Sequence, residues 1–213
     1  MYKVLLSLTI VCAFISCNKN NSTPTTTVTI GATGLMPLAV GNVWTYQQKF
    51  YDSATGSVDS TTTDAISIIQ QVTVNDTTYF QQVQTSMLET WASFYLNTDS
   101  NTVVKIDSAT RYTYFKRASS EGPVSNWTDT VSTRCKGINT LNTYAGDTTI
   151  GSYTGCLKNI VTTTDCTGQP FQEFVYYLQP GTGIVRIEHY FIEKDNVTWY
   201  LTYTEDLTAF HKS

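Results

Sequence analysis

Chemistry in this chain would have to come from two histidines, 17 aspartates and glutamates, and five cysteines. Catalysis requires such groups to converge. His189 sits in a strand-like run whose neighbours Glu188 and Tyr190 point to the opposite face, and His211 stands close to the carboxyl end, so a metal site built on a histidine pair is not expected. Glu188 and Glu193 are five residues apart and would face opposite sides of a strand. Glu205-Asp206 reads as a solvated tail, and Asp52, Asp59, Asp64, Asp76 and Asp99 fall in turn-like stretches without the spacing of a calcium loop. Nothing marks a pair of glycosidase carboxylates. There is no His-Glu-x-x-His, Gly-x-Ser-x-Gly, phosphate loop or dinucleotide fingerprint. No catalytic residue, cofactor or metal is therefore expected.

The amino terminus carries a different kind of chemistry. Met1-Tyr2-Lys3 supplies one positive charge, and residues 4–16 are uncharged and mostly apolar. As a helix of about 20 Å this run is too short for a hydrocarbon core of roughly 30 Å, and it fits the hydrophobic region of a signal peptide. Phe14-Ile15-Ser16-Cys17 resembles a lipobox, where bacterial lipoproteins are cut before a cysteine that carries diacylglycerol. The resemblance implies lipidation at Cys17, with two or three acyl chains, enough for stable anchoring at about 0.8 kcal/mol per buried methylene. Residues 18–34, rich in Ser, Thr, Asn and Pro, have no hydrophobic period and read as a flexible tether with an r.m.s. reach of about 20 Å. Residues 1–16 are thus expected to be removed, 17–34 to link, and 35–213 to fold. In lipoproteins of the kind this leader resembles, an acidic cluster after the lipidated cysteine often marks export to the outer face; none follows Cys17, so the periplasmic face of the outer membrane is expected, with surface exposure the alternative.

Cys12 leaves with the signal peptide and Cys17 is acylated on this reading, so Cys135, Cys156 and Cys166 remain. Export implies an oxidising compartment, where one disulfide and one free thiol are expected. Cys156 and Cys166 lie at opposite ends of one extended segment. Ten residues of strand span about 33 Å, far beyond disulfide reach. Cys135 then pairs with Cys156 or Cys166, or all three are free. No Cys-x-x-Cys occurs.

These groups must be positioned by strands. The chain is 41% hydrophobic and 13% aromatic, enough for a core, and only 14% charged with a net charge of −4, which excludes nucleic acid as a partner. Its Thr and Tyr suit a pleated surface, and its Asn, Ser and Gly suit turns. Strands are expected over Val43–Phe50, Ile66–Val74, Thr78–Gln84, Trp91–Leu96, Thr102–Ile106, Arg111–Lys116, Asn126–Arg134, Leu157–Thr163, Phe171–Leu178, Ile184–Ile192 and from Val197 through Tyr203. Asn75-Asp76 and Gln179–Gly183 are turn signals, and residues 118–125 and 135–153 read as loops. In the carboxyl third, Phe174, Tyr176 and Leu178 share one face, as do Val185, Ile187 and Phe191. The expected fold is all-β, a single antiparallel domain, either a sandwich or a curved half-barrel-like sheet with a carboxyl-terminal meander. The many aromatic rings would either line a groove for a lipid or sugar or fill both faces of a buried sheet.

Pro37-Leu38-x-x-Gly41-Asn42-x-Trp44-x-Tyr46 and Tyr177-Leu178-x-Pro180-Gly181-x-Gly183-Ile184-Val185-Arg186 together resemble a pattern in small Bacteroidota lipoproteins with no assigned activity. The resemblance implies an exported, β-rich, lipid-anchored outer-membrane protein. Read from the residues, Gly181 and Gly183 supply turn conformations and Trp44 fills core. Ser53, Ser60, Thr77, Ser108, Thr130 and Thr148 each follow an aspartate, which resembles the O-glycosylation acceptor pattern of exported Bacteroidota proteins; the same dipeptides are also ordinary turn formers. The expected role is a non-catalytic binding or assembly module that meets the membrane through its lipid and a lipid, glycan or envelope protein through its fold. The alternatives are a lipid or lipoprotein carrier with an apolar groove, and a glycan-directed enzyme.

Overall fold

The computed structural model describes residues 34–85, 90–107, 110–129, 138–192 and 198–213. Cys17, the tether before Gly34, Ser108, Thr130 and Cys135 lie outside them. Twelve strands follow one another: β1 (Val43–Tyr51), β2 (Val58–Val74), β3 (Thr77–Thr85), β4 (Thr90–Asp99), β5 (Thr102–Asp107), β6 (Thr110–Lys116), β7 (Gly122–Asp129), β8 (Ile138–Ile150), β9 (Tyr153–Thr164), β10 (Pro170–Gln179), β11 (Gly183–Ile192) and β12 (Trp199–His211). They form one sheet in the order β6-β5-β4-β3-β2-β1-β12-β11-β10-β9-β8-β7. All neighbours are antiparallel. The chain's two ends meet at the centre of the sheet, and its middle supplies both edges.

Those edges curl toward each other until the sheet nearly closes. Side chains rather than a backbone ladder join them among the described residues. The Ser125 hydroxyl donates to the Thr113 carbonyl at 2.6 Å, the Asn142 amide donates to the Tyr114 carbonyl, and Tyr112 stacks on Trp127 with centroids 4.5 Å apart. Exposed edge strands invite pairing with other chains, and this seam covers both. Of the two expected arrangements, the structure contains the curved sheet and not the sandwich.

The sequence reading missed β8 and the start of β7, which it placed in loops. The reason lies in what β8 turns inward. Thr140 and Asn142 are buried at 6% and 0% exposure. Asn142 bonds across the seam and accepts a hydrogen bond from the buried Asn159 amide of β9. Polar inward residues erase the apolar alternation by which a strand is recognised. Val185 is a smaller departure. A register shift beside it in the β10–β11 pairing turns it to the outer face with Val175 and Tyr177, away from Ile187. Asn75 and Asp76, by contrast, form the expected tight turn, with φ of 47° and 59°.

A sheet of this many strands encloses more space than its own side chains fill. At one end the segment before β1 fills it. Leu35, Met36 and Leu38 are almost fully buried there, against Trp44, Ile68, Leu178 and Ile184. The two motifs noted above meet at this plug. Trp44 Nε1 donates to the Thr182 carbonyl at 2.6 Å, Tyr46 Oη donates to the Ile184 carbonyl at 2.8 Å, and the Gly181 amide reaches the Gly34 carbonyl at 3.3 Å. Gly183, at φ +91°, lies under Trp44, where a Cβ would come within 3.3 Å of the indole nitrogen. Asn42 ties the plug to the chain terminus, with its amide on the Pro37 carbonyl at 2.5 Å and its oxygen accepting from the Ser213 amide at 3.0 Å. The motifs therefore build a closed end.

Candidate functional site

Toward the opposite end the interior changes character. Beyond the layer of Tyr46, Ile66 and Ile68 lies a cavity of about 580 Å³. Its wall comes from β1, β2, β3, β10, β11 and β12. Gln48, Gln84 and Gln172 supply amides, Phe174, Tyr176 and Tyr203 supply rings, Ile187 supplies an aliphatic patch, and Asp64 and Glu205 supply carboxylates.

Neither carboxylate is where the sequence reading put it. Asp64 was assigned to a turn-like stretch and Glu205 to a solvated tail. Asp64 instead lies inside β2 at 2% exposure and Glu205 inside β12 at 3%. Each was legible in period two: Asp64 is in phase with Ile66 and Ile68, and Glu205 with Tyr203. Asp206, one residue on, points outward to Arg186 Nη1 at 3.2 Å.

Each carboxylate is held by a glutamine from a neighbouring strand. Gln84 Nε2 donates to Asp64 Oδ2 at 2.5 Å, and the Ala65 amide donates to Asp64 Oδ1 at 2.7 Å. Gln48 Nε2 donates to Glu205 Oε1 at 3.2 Å, while Gln48 Oε1 accepts from the Thr62 hydroxyl at 3.3 Å. Glu205 Oε2 is buried with no hydrogen-bond partner among the described residues. Burial first, and the charge of Asp64 second, push the Glu205 carboxyl up to about 7. Burial, aided by the Glu205 and Asp64 charges, likewise pushes the Tyr203 hydroxyl well above its usual range.

His189 packs beside this wall rather than away from it. Its ring lies 4.3 Å from Phe174 and 4.7 Å from Tyr203, centroid to centroid. The Thr202 hydroxyl donates to the His189 carbonyl at 2.9 Å, so its oxygen accepts from Nδ1, 2.5 Å away. That fixes the proton on Nδ1 and leaves Nε2 a buried acceptor without a partner among the described residues. Burial holds the ring's pKa down to about 4, so it is neutral at physiological pH. Glu188 and Tyr190 do face the other side, where the Tyr190 hydroxyl donates to Glu188 Oε2 at 3.0 Å.

The other residues singled out from sequence do not join this cavity's wall. Ser53 and Ser60 are exposed, and Thr77 and Thr148 are half-buried. Asp52 is a turn former, taking hydrogen bonds from the Ala54 and Thr55 amides at 3.2 and 2.8 Å. His211 is exposed at the end of β12. Cys156 is a fully buried free thiol, and Cys166, two residues past β9, is disulfide-bonded to a partner outside the described residues. Asn139, near the start of β8, lies opposite Thr164, the last residue of β9 and two residues before Cys166. Non-reducing peptide mapping is expected to join Cys135 to Cys166 and to find Cys156 alkylated only after unfolding; a disulfide at Cys156 would contradict this.

No protein-family model matches the chain, and no curated protein does. Two solved structures are similar to it. A Bacteroides fragilis protein classed as exported and described as having a YmcC-like fold matches with a TM-score of 0.53 at 12% identity, over 84% of this chain and 100% of that one. A Parabacteroides distasonis protein classed as a lipoprotein matches with a TM-score of 0.42 at 17% identity, over 84% of this chain and 99% of that one. The first likeness shows a shared fold: a curled, all-antiparallel sheet of the kind described as YmcC-like.

Proposed function

We propose that this chain is a lipid-anchored outer-membrane protein that acts, without catalysis, as a receptacle for a small polar molecule. The observation that carries the proposal is the cavity beyond the plug, with a buried carboxylate oxygen that none of the described residues satisfies. An unsatisfied buried acceptor costs about 1–3 kcal/mol, more when charged, and a bound molecule would relieve it. The volume lies within the roughly 300–1,000 Å³ of small-molecule sites. A carrier of acyl chains is less well served. The apolar part of the interior is already filled by side chains, and the remaining wall sets five amides and carboxylates against hydrocarbon.

The anchor gives the receptacle a direction. A tether from Cys17 to Gly34 joins the barrel at its plugged end, which also holds Ser213. The cavity lies toward the other end and would face away from the membrane. Native mass spectrometry of the protein extracted from its own envelope tests both halves of the reading. We expect a diacylglyceryl mass on Cys17 and a small-molecule adduct that is absent from Ile187→Trp, which fills the cavity. An unlipidated chain overturns the anchor, and spectra without adduct for both proteins overturn the receptacle.

A further inference from the structure

We infer that the cavity is built for an organic cation bearing a primary amine, with the amine seated between Asp64 and Glu205 and its alkyl part along Phe174, Tyr176 and Ile187. The inference rests on the reading of the barrel as a receptacle and names what it receives.

The first argument is charge. Two carboxylates line the cavity, and no lysine or arginine does among the described residues. Lys105, opposite Tyr95, has its ammonium engaged 5.2 Å over the Tyr114 ring. An anionic ligand would meet like charge in a low dielectric, which is strongly unfavourable.

The second argument is the balance of donors and acceptors. The amide N–H groups of Gln48 and Gln84 already point at the two carboxylates. Glu205 Oε2 is left over. An ammonium has three donors and no acceptor, which matches that surplus acceptor. Glu205 is 3% exposed and belongs to the cavity wall, and its Oε2 is buried without a hydrogen-bond partner among the described residues. The aromatic wall adds to this, because ring faces attract cations more strongly once both are out of water.

The third argument separates an organic cation from a metal ion. Among the described residues no group of three or more histidine, cysteine or carboxylate side chains could hold a metal. Calcium takes six to eight oxygen ligands, and two amide-pinned carboxylates offer too few. The volume also far exceeds what a bare ion needs.

The groups facing Glu205 are Asp64 on β2, Gln48 and Tyr46 on β1, Tyr203 on its own strand, and Tyr176 and Ile187 on β10 and β11. Burial and the Asp64 charge hold the Glu205 carboxyl at about 7, so it gains or loses its charge near neutral pH. An arriving ammonium must displace that proton. Isothermal titration of the mature protein in neutral detergent, with 1,5-diaminopentane and spermidine as probes, therefore reads the proposal directly. We expect saturable binding at pH 8, about tenfold weaker at pH 6 because the bound proton competes, and proton release seen as a dependence of the heat on buffer. Glu205→Gln should keep or raise the melting temperature while weakening binding at pH 8 at least tenfold and abolishing the pH dependence. Maltose and calcium chloride are the counter-probes. Binding of maltose without binding of either amine overturns the cation and leaves the receptacle standing. Tighter binding of calcium than of either amine, or amine binding indifferent to Glu205→Gln, also overturns the cation. Silence from every probe does so too, and the adduct experiment then decides the receptacle separately.

Discussion

Glu205→Gln is expected to stabilise the protein at pH 8 by as much as about 4 kcal/mol and to leave its stability at pH 4 nearly unchanged. The carboxyl is held at about 7 in the folded protein by burial and by Asp64, against about 4.3 in an unfolded chain. Between these values the folded state binds the proton more tightly, so stability falls as pH rises from about 4.3 to about 7 and stays low above that. Each pKa unit corresponds to about 1.4 kcal/mol, which sets the upper end of the effect. Glutamine keeps an oxygen for the Gln48 amide and never carries the charge. His189 works in the other direction. Its pKa is depressed to about 4 from 6.5 by burial, so it contributes stability that is lost as pH falls through that window. Between about pH 4.3 and 6.5 the two slopes oppose and largely cancel, so the wild type should change little in stability across that window. Urea titrations from pH 4 to pH 9 check this. The substitution should lift the alkaline side alone, and equal stability of variant and wild type at pH 8 would remove the basis for a strained carboxylate.

Trp44→Ala is expected to lose about 3–5 kcal/mol, a large part of the roughly 5–15 kcal/mol that holds a typical domain together. The indole is 2% exposed, stacks on Phe210 with centroids 5.1 Å apart and planes at 12°, and donates its N–H to the turn between β10 and β11. It therefore joins β1, β12 and the β10–β11 turn at the plugged end. Trp44→Phe keeps much of the burial but strands the Thr182 carbonyl, and should lose about 1–2 kcal/mol. Chemical denaturation followed by circular dichroism measures both. A loss below 1 kcal/mol for the alanine variant would show that the plug does not hold the barrel shut.

How much of this could be read beforehand varies from strand to strand. β10 shows Phe174, Tyr176 and Leu178 in alternation and was legible, because its inner face is apolar along its length. The Asn75-Asp76 turn was legible because left-handed backbone favours those residue types. β8 was not, because Thr140 and Asn142 face inward, and the groups that satisfy Asn142 stand on other strands, β6 and β9. The two motifs were visible as patterns, but their meaning as a plug depended on Trp44 meeting Thr182 across 138 residues.

Local pattern alone determined that this chain is all-β and antiparallel, where most of its turns fall, and that its amino terminus has the form of a lipidated leader. Those properties depend on neighbours within a few residues, which the sequence displays directly. The tertiary structure decided which face of each strand became interior. Asp64 and Glu205 share a cavity because β1 pairs with β2 on one side and with β12 on the other, bringing Gln48 opposite Thr62 and Glu205. That closure joins residues from the two ends of the chain. It turns an aspartate and a glutamate that look like surface charges into a buried pair; period two gives the face of each but not the pairing that brings them together.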